Sequence, residues 1–342
     1  MLIDIHHHYV PQGFVDLIRS EGEKYNGVVY RDEASGMDAM QLGSTTPPAA
    51  DPNSRNRYVL EPGLFDLPTH IEEMTAIGLD MAALSVSPGV FNYGADRDIG
   101  VDTSERLNDM IHEATQAHPD RFVGLGTLPM QDIDAAITEL ERIDREYGFT
   151  GIEIGASVGG HNFDEPQFDA LFRRASELDM LIFIHPAFNP APSRLERYYL
   201  MNVIGHPVET GICAASLIFG GTLARYPNIK ICLAHGGGMT PAVIGRWDHG
   251  WKVRPEGKTV IDQPPSTYYK QLYFDNLCHG DTVLAALIES AGTDRVVVGT
   301  DYPYDMMERD PIARLDAQSL AAADRRKIES ETAARLLRLD PS

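Results

Sequence analysis

Long apolar runs are missing from this chain. No stretch of about 18 apolar residues occurs, so neither a membrane-spanning helix nor a membrane partner is expected. The start, Met1-Leu-Ile-Asp-Ile-His6, lacks the basic and apolar stretches of a secretory leader. A cytoplasmic protein is therefore expected. Cysteine is sparse: Cys213, Cys232 and Cys278 form no Cys-x-x-Cys pair. That pattern excludes a disulfide framework and a cysteine-built zinc site, and it suits a reducing compartment. Basic residues are also few, 29 Lys and Arg against 50 Asp and Glu, for a formal net charge of −21. Such a surface repels phosphate backbones and argues against nucleic acid as a partner. An acidic surface around a cationic pocket still accepts an anionic small molecule.

What is present is a large stock of core residues. Hydrophobic residues make up 43% of 342, a length that suits two domains or one α/β barrel. Short apolar, β-branched runs recur at Met1–His6, Met81–Ser87, Phe122–Leu128, Gly151–Ala156, Leu181–His185, Lys230–His235, Leu272–Asp275 and Arg295–Asp301. Their near-continuous hydrophobicity predicts strands covered on both faces. Segments of helical period lie between them, at Ser104–Ala117, Ile133–Tyr147 and Gln167–Leu178. In the first of these, Leu107, Met110, Ile111 and Ala114 form one stripe. Eight strands alternating with helices predict a (β/α)8 TIM barrel. A doubly wound open sheet is the alternative, but no Gly-rich turn follows the first strand.

Residues 1–342 read as one barrel with an insertion after the first strand, at about 24–66. Within it Gly43–Arg57 is polar and rich in Pro, Ser, Thr and Asn, with a short hairpin expected near Gly27–Arg31. This insertion is expected to lie over the barrel mouth, as is the irregular stretch Pro186–Arg197 after the fifth strand.

Barrels carry their reacting groups at the C-terminal ends of the strands. Here the first strand ends in His6-His7-His8, the fifth in His185, the sixth in His235 and the eighth in Asp301. Side chains alternate along a strand, so His6 and His8 share a face and His7 points away. Two imidazoles so placed grip one divalent ion, with His185 and Asp301 completing the shell. Three nitrogens and one oxygen suit Zn²⁺ with a position left for water, and Mn²⁺ is the alternative. Asp4, two residues before His6 on the same face, either orients a ligand or is a structural aspartate on backbone amides. His235 opens His235-Gly-Gly-Gly238 and is either a fourth nitrogen ligand or, as preferred here, a general acid/base.

Four stretches carry a family resemblance: Asp4-Ile-His6-His-His8, Phe183-Ile-His185-Pro, Ala234-His235-Gly-Gly-Gly and Gly299-Thr-Asp301-Tyr-Pro. They resemble the amidohydrolase superfamily. Within it they resemble the branch of 2-amino-3-carboxymuconate-6-semialdehyde decarboxylase and related non-oxidative decarboxylases. Support comes from Ile71–Asp80, Leu128–Asp132 and Phe168–Phe172, so the likeness covers nearly the whole chain. It implies that His6, His8, His185 and Asp301 are metal ligands, and that His235, with Asp301, is catalytic beside a metal-bound water. Arg246 matches an arginine that enters the neighbouring subunit's active site, which implies a homodimer; otherwise Arg246 is a helix-surface arginine. Arg57 lies about a residue from the place of an arginine that binds a substrate carboxylate. The stretch Arg197-Tyr-Tyr-Leu-Met-Asn202 has no tryptophan where the family has them, and Tyr198 or Asn202 takes that place. Ala187 stands where an aromatic is frequent.

The resulting expectation is a metal-dependent, non-oxidative decarboxylase of an unsaturated or aromatic carboxylate, with no organic cofactor. The alternative is a hydrolase of an amide, lactone or C–C bond, or a hydratase, using the same metal-activated water.

Overall fold

Strands without a polar face need cover on both sides, and a barrel ringed by helices supplies it. The computed structural model describes residues 1–47, 58–187 and 192–339. Its strands are β1 (Ile3–Tyr9), β2 (Gly27–Arg31), β3 (Asp38–Leu42), β4 (Tyr58–Val59), β5 (Met81–Val86), β6 (Phe122–Gly124), β7 (Gly151–Gly155), β8 (Leu181–His185), β9 (Lys230–Leu233), β10 (Tyr273–Asp275) and β11 (Val296–Val297). Two parallel ladders run β1-β5-β6 and β11-β10-β9-β8-β7. Bridges at Gly126–Ile152 and Asp4–Val298 join them on both sides. Ile5 N donates to Val298 O at 2.9 Å, and Glu153 N to Gly126 O at 2.8 Å. The eight parallel strands thus close on themselves into the expected (β/α)8 barrel.

Along β8, Leu181 and Phe183 point into the barrel while Ile182 and Ile184 pack outward on helices. The inward set also holds Ile3, Ile5, Cys232 and Ala234, together with Ala333, Leu336 and Leu337 from the last helix. Helix limits follow local chemistry. Helix Ile133–Tyr147 starts where Asp132 accepts a hydrogen bond from Ala135 N at 2.9 Å. It ends at Gly148, held at φ +66.

The expected hairpin strand Gly27–Arg31 pairs antiparallel with β3, and β3 with β4, in a small separate sheet. It packs on helix Gln12–Tyr25. Most of the polar stretch Gly43–Arg57, including Arg57, lies outside the described residues, as do residues 188–191.

The first strand departs from the expected geometry in one respect. Between Asp4 and His7 it uses three steps where β5 uses two, from Ala82 to Leu84. This bulge shifts the alternation by one residue. Ile3 and Ile5 point inward, and so do His6 and His8, while Asp4 and His7 both face outward. Asp4 therefore does not share a face with His6, contrary to simple alternation.

Candidate metal centre in the barrel

The bulge delivers two imidazoles of β1 into the barrel one step apart in height. His6 and His8 are fully buried, and His185 and Asp301 are nearly so. Their ligand atoms lie within 4.8 Å of one another. His6 Nε2 is 3.0 Å from His8 Nε2. Asp301 Oδ1 is 3.2 Å from each of those nitrogens.

The outer nitrogens decide what faces inward. His6 Nδ1 lies 2.7 Å from Asp275 Oδ2, a pure acceptor when ionised, so Nδ1 carries the hydrogen. His185 Nδ1 likewise donates to the Pro186 carbonyl at 3.0 Å. Both rings thus turn Nε2 into the cluster, as a lone pair in His185 and, in His6, as a lone pair once the ring gives up the proton that Asp301 favours. His185 Nε2 and Asp301 Oδ1 are buried with no hydrogen-bond partner. Converging lone pairs without donors are the arrangement a cation satisfies. Ligand–ligand spacings near 3 Å also match bonds of about 2.0–2.2 Å to one ion. The donor set fits one divalent metal.

Burial opposes charge on His8 and brings its pKa down to about 4; Asp301 pulls the other way. Burial, reinforced by His235, His8 and His6, holds His185 well below the usual range. Both are neutral and ready to bind. His6 differs: burial opposes its charge, but Asp301 and Asp275 outweigh burial and hold it well above the usual range. Burial alone would raise Asp301, yet His6, His235 and His8 keep it well below the carboxylate range.

His235 completes the group. Its Nε2 is 3.5 Å from Asp301 Oδ2, and its Nδ1 has no partner. It is held at φ +56 and Asp301 at φ +60, a region that non-glycine residues seldom occupy. Gly236, Gly237 and Gly238 continue at φ +61, +76 and +59. A Cβ on Gly238 would stand 2.4 Å from the Pro207 carbonyl, so only glycine fits there.

Some side chains that sequence reasoning passed over also belong here. Asp275 ends β10 and accepts from His6, from the backbone of His235 (2.9 Å) and Gly236 (2.6 Å), and from Leu277 N (3.1 Å). The strand-end rule applied to Leu272–Asp275 would have found it. Glu153 is the one charged residue in the run Gly151–Ala156 and is fully buried inside the barrel. Burial pushes its carboxyl up to about 8. His206 stacks on His235 at 6.0 Å, and burial, with His235, lowers it to about 4.

His7 points away, as alternation required. It donates or accepts between Asp4 Oδ2 and His70 Nδ1, each at 3.0 Å, and stacks on Tyr302 at 4.8 Å. Asp4 also accepts from His6 N and Thr300 N at 3.0 Å, and from the Thr300 hydroxyl at 2.5 Å. Its role is thus structural: it ties β1 to the segment carrying Asp301.

Arg246 is exposed on helix Thr240–Val253, outside the buried cluster. Tyr198 is 75% exposed and pairs with Arg197, whose guanidinium lies 4.7 Å from its ring. Asn202 is half-buried in the π-helical turn Met201–Gly205. The single chain does not gather these three onto the cluster.

Residues 3–339 match the family model described as Amidohydrolase. The chain is 32% identical over 342 residues to 2-amino-3-carboxymuconate-6-semialdehyde decarboxylase of Dictyostelium discoideum, covering 99% of this chain and 92% of that one. It is 30% identical to gamma-resorcylate decarboxylase of a Rhizobium species, over 80% of this chain and 87% of that one. Among solved structures, 5-carboxyvanillate decarboxylase of Novosphingobium aromaticivorans, with bound manganese and 3-methoxy-4-hydroxy-5-nitrobenzoic acid, superposes with TM-score 0.81 at 25% identity. That match covers 99% of this chain and 97% of the other. The dihydroxybenzoic acid decarboxylase of Polaromonas sp. JS666, also with manganese, shares the fold with TM-score 0.78 at 24% identity over 100% and 98% of the two chains. The chain belongs to the amidohydrolase family and, with these relatives, to its carboxy-lyase branch.

Proposed function

We propose that this protein catalyses the metal-dependent, non-oxidative loss of CO2 from an aromatic or unsaturated carboxylate. The observation that carries the reading is the buried convergence of His6, His8, His185 and Asp301 on one point, with unpaired lone pairs turned inward. The curated relatives that share this chain's length are decarboxylases, which favours CO2 release over hydrolysis.

The four residues would hold one divalent ion. Such an ion polarises a substrate oxygen next to the carbon that loses CO2, and so spreads the charge left behind. Three nitrogens and one oxygen suit Zn²⁺. Manganese in two structurally similar decarboxylases supports Mn²⁺ as the alternative. His235 moves the proton at Nε2, the atom nearest Asp301 Oδ2. Asp301 accepts from that nitrogen and keeps the ring aimed at the ion. Burial of the cluster excludes bulk water and strengthens each of these contacts.

A carboxylate-bearing substrate needs a cationic clamp, and the exposed Arg246 suits one supplied to a second copy of the chain. The working unit is therefore a homodimer. Arg57, Tyr198 and Asn202 are the substrate-binding residues of this reading. A cytoplasmic location is part of this reading; no helix among the described residues is long and apolar enough to cross a membrane.

The test is CO2 release from a panel of hydroxybenzoates and muconate semialdehydes, with Zn²⁺ or Mn²⁺ supplied, against lactones and amides as controls. Turnover of a carboxylate with CO2 release, lost in His185→Ala together with bound metal, supports the reading. Hydrolysis of a control with no CO2 from any carboxylate refutes it. Mixing inactive Arg246→Ala and His235→Ala chains tests the shared site: activity returns in hybrids only if Arg246 serves a neighbour.

A further inference from the structure

A ligand imidazole needs its second nitrogen fixed, or the ring swings and the tautomer becomes ambiguous. Two of the three candidate ligand histidines have such a partner. His6 Nδ1 has Asp275 at 2.7 Å, and His185 Nδ1 has the Pro186 carbonyl at 3.0 Å. The third, His8, has an Nδ1 that is buried and unpartnered.

The group facing that nitrogen is the carboxyl of Glu153, with Oε2 at 3.7 Å. Glu153 pairs in register with Phe183 of β8, while Gly155 pairs with His185, so it sits one layer beneath the cluster. Both of its oxygens are buried without a well-formed hydrogen bond, although the Ser85 hydroxyl interacts with the carboxyl. The Ser85 hydroxyl alongside is directed to the His7 carbonyl at 3.4 Å. An unpaired carboxyl in a barrel core is costly, so its presence needs a counterpart. The two orphans face each other. The gap is about half an ångström beyond a hydrogen bond, which a small turn of either side chain closes.

We infer that Glu153 is a positioning residue that accepts a hydrogen bond from His8 Nδ1–H and thereby keeps the Nε2 lone pair of His8 on the bound ion. This rests on the metal site proposed above. It gives each ligand histidine its own anchor: a carboxylate from β10, a carboxyl oxygen from β7 and a backbone carbonyl after β8. It also explains why a carboxyl stands in a run that otherwise supplies only core.

The roles separate in Glu153→Leu and Glu153→Gln. Leucine removes the acceptor; glutamine keeps one in place. Metal affinity is read by competition with a chelator, and thermal melting is read with and without metal. The expected result for E153L is a loss of about 10–100-fold in metal affinity, with E153Q close to the parent. Metal-free E153L is expected to melt at or above the parent, because an unpaired buried carboxyl has been removed. Its added stability on metal binding should shrink. Unchanged affinity in E153L overturns the inference, as does a metal-free E153L that melts well below the parent. A parent protein that binds no metal overturns the site itself rather than this role, and His185→Ala, which loses metal in either case, is the control.

Discussion

Asp275→Asn puts the site's architecture to its hardest test. Each oxygen of this fully buried carboxylate serves two donors. Oδ2 accepts from His6 Nδ1 and His235 N, at 2.7 and 2.9 Å. Oδ1 accepts from Gly236 N and Leu277 N, at 2.6 and 3.1 Å. An amide has one oxygen, so in either orientation its NH2 meets two N–H groups. Each buried donor left unpaired costs about 1–3 kcal/mol, so the substitution should destabilise the fold by about 2–6 kcal/mol. The metal site suffers as well. If the NH2 faces His6, the ring relieves the clash by taking the other tautomer, and Nε2 then carries a hydrogen where the ion needs a lone pair. If it faces Gly236, the turn that holds His235 at φ +56 loses its anchor. Metal affinity should fall by about 10–100-fold. Urea unfolding of the metal-free protein reads the first effect, and chelator competition reads the second. A variant with the parent's unfolding midpoint and the parent's affinity would refute the account of Asp275 as the common anchor of His6 and the glycine turn.

Three other outcomes can be checked. The metal-free protein should lose stability as pH falls from about 6.5 toward 4, because burial depresses the folded pKa of His8 to about 4 and the unfolded chain takes protons that the folded one refuses; a flat urea midpoint across that window would contradict it. His6 works in the opposite sense, since its folded pKa is raised: its contribution is present below the unfolded value and fades as pH rises through the folded one. Metal uptake near neutral pH should therefore displace a proton from His6, read by calorimetry in buffers of different ionisation enthalpy, and affinity should weaken in acid. His70→Ala strands His7 Nε2 and opens a hole beside Tyr302. It should cost about 2–4 kcal/mol in unfolding while metal stoichiometry stays at one, and loss of metal in a folded variant would show that the Asp4–His7–His70 chain belongs to the site after all.

The sequence by itself determined the barrel and which four side chains meet in the candidate metal cluster. Strand runs without a polar face leave few alternatives, and helical segments between them leave fewer. Met81–Val86, Gly151–Gly155 and Leu181–His185 fall where the apolar runs lie because burial on both faces is written residue by residue. His6, His8, His185 and Asp301 were legible because the ends of barrel strands converge, so a position in the chain becomes a position in space. Local alternation could not foresee the bulge, which arises from how β1 pairs with β5 and which turns Asp4 and His7 outward together. Nor could it reveal Asp275 as a hub, since the amides it binds are brought near it only when β9 and β10 pair. Glu153 looked like one charge in a buried strand. Only closure of the barrel sets its carboxyl opposite His8 Nδ1. The four candidate ligands thus answer to periodicity, which a sequence carries. Their anchors answer to contacts between strands far apart in the chain, and those exist only after the sheet has closed.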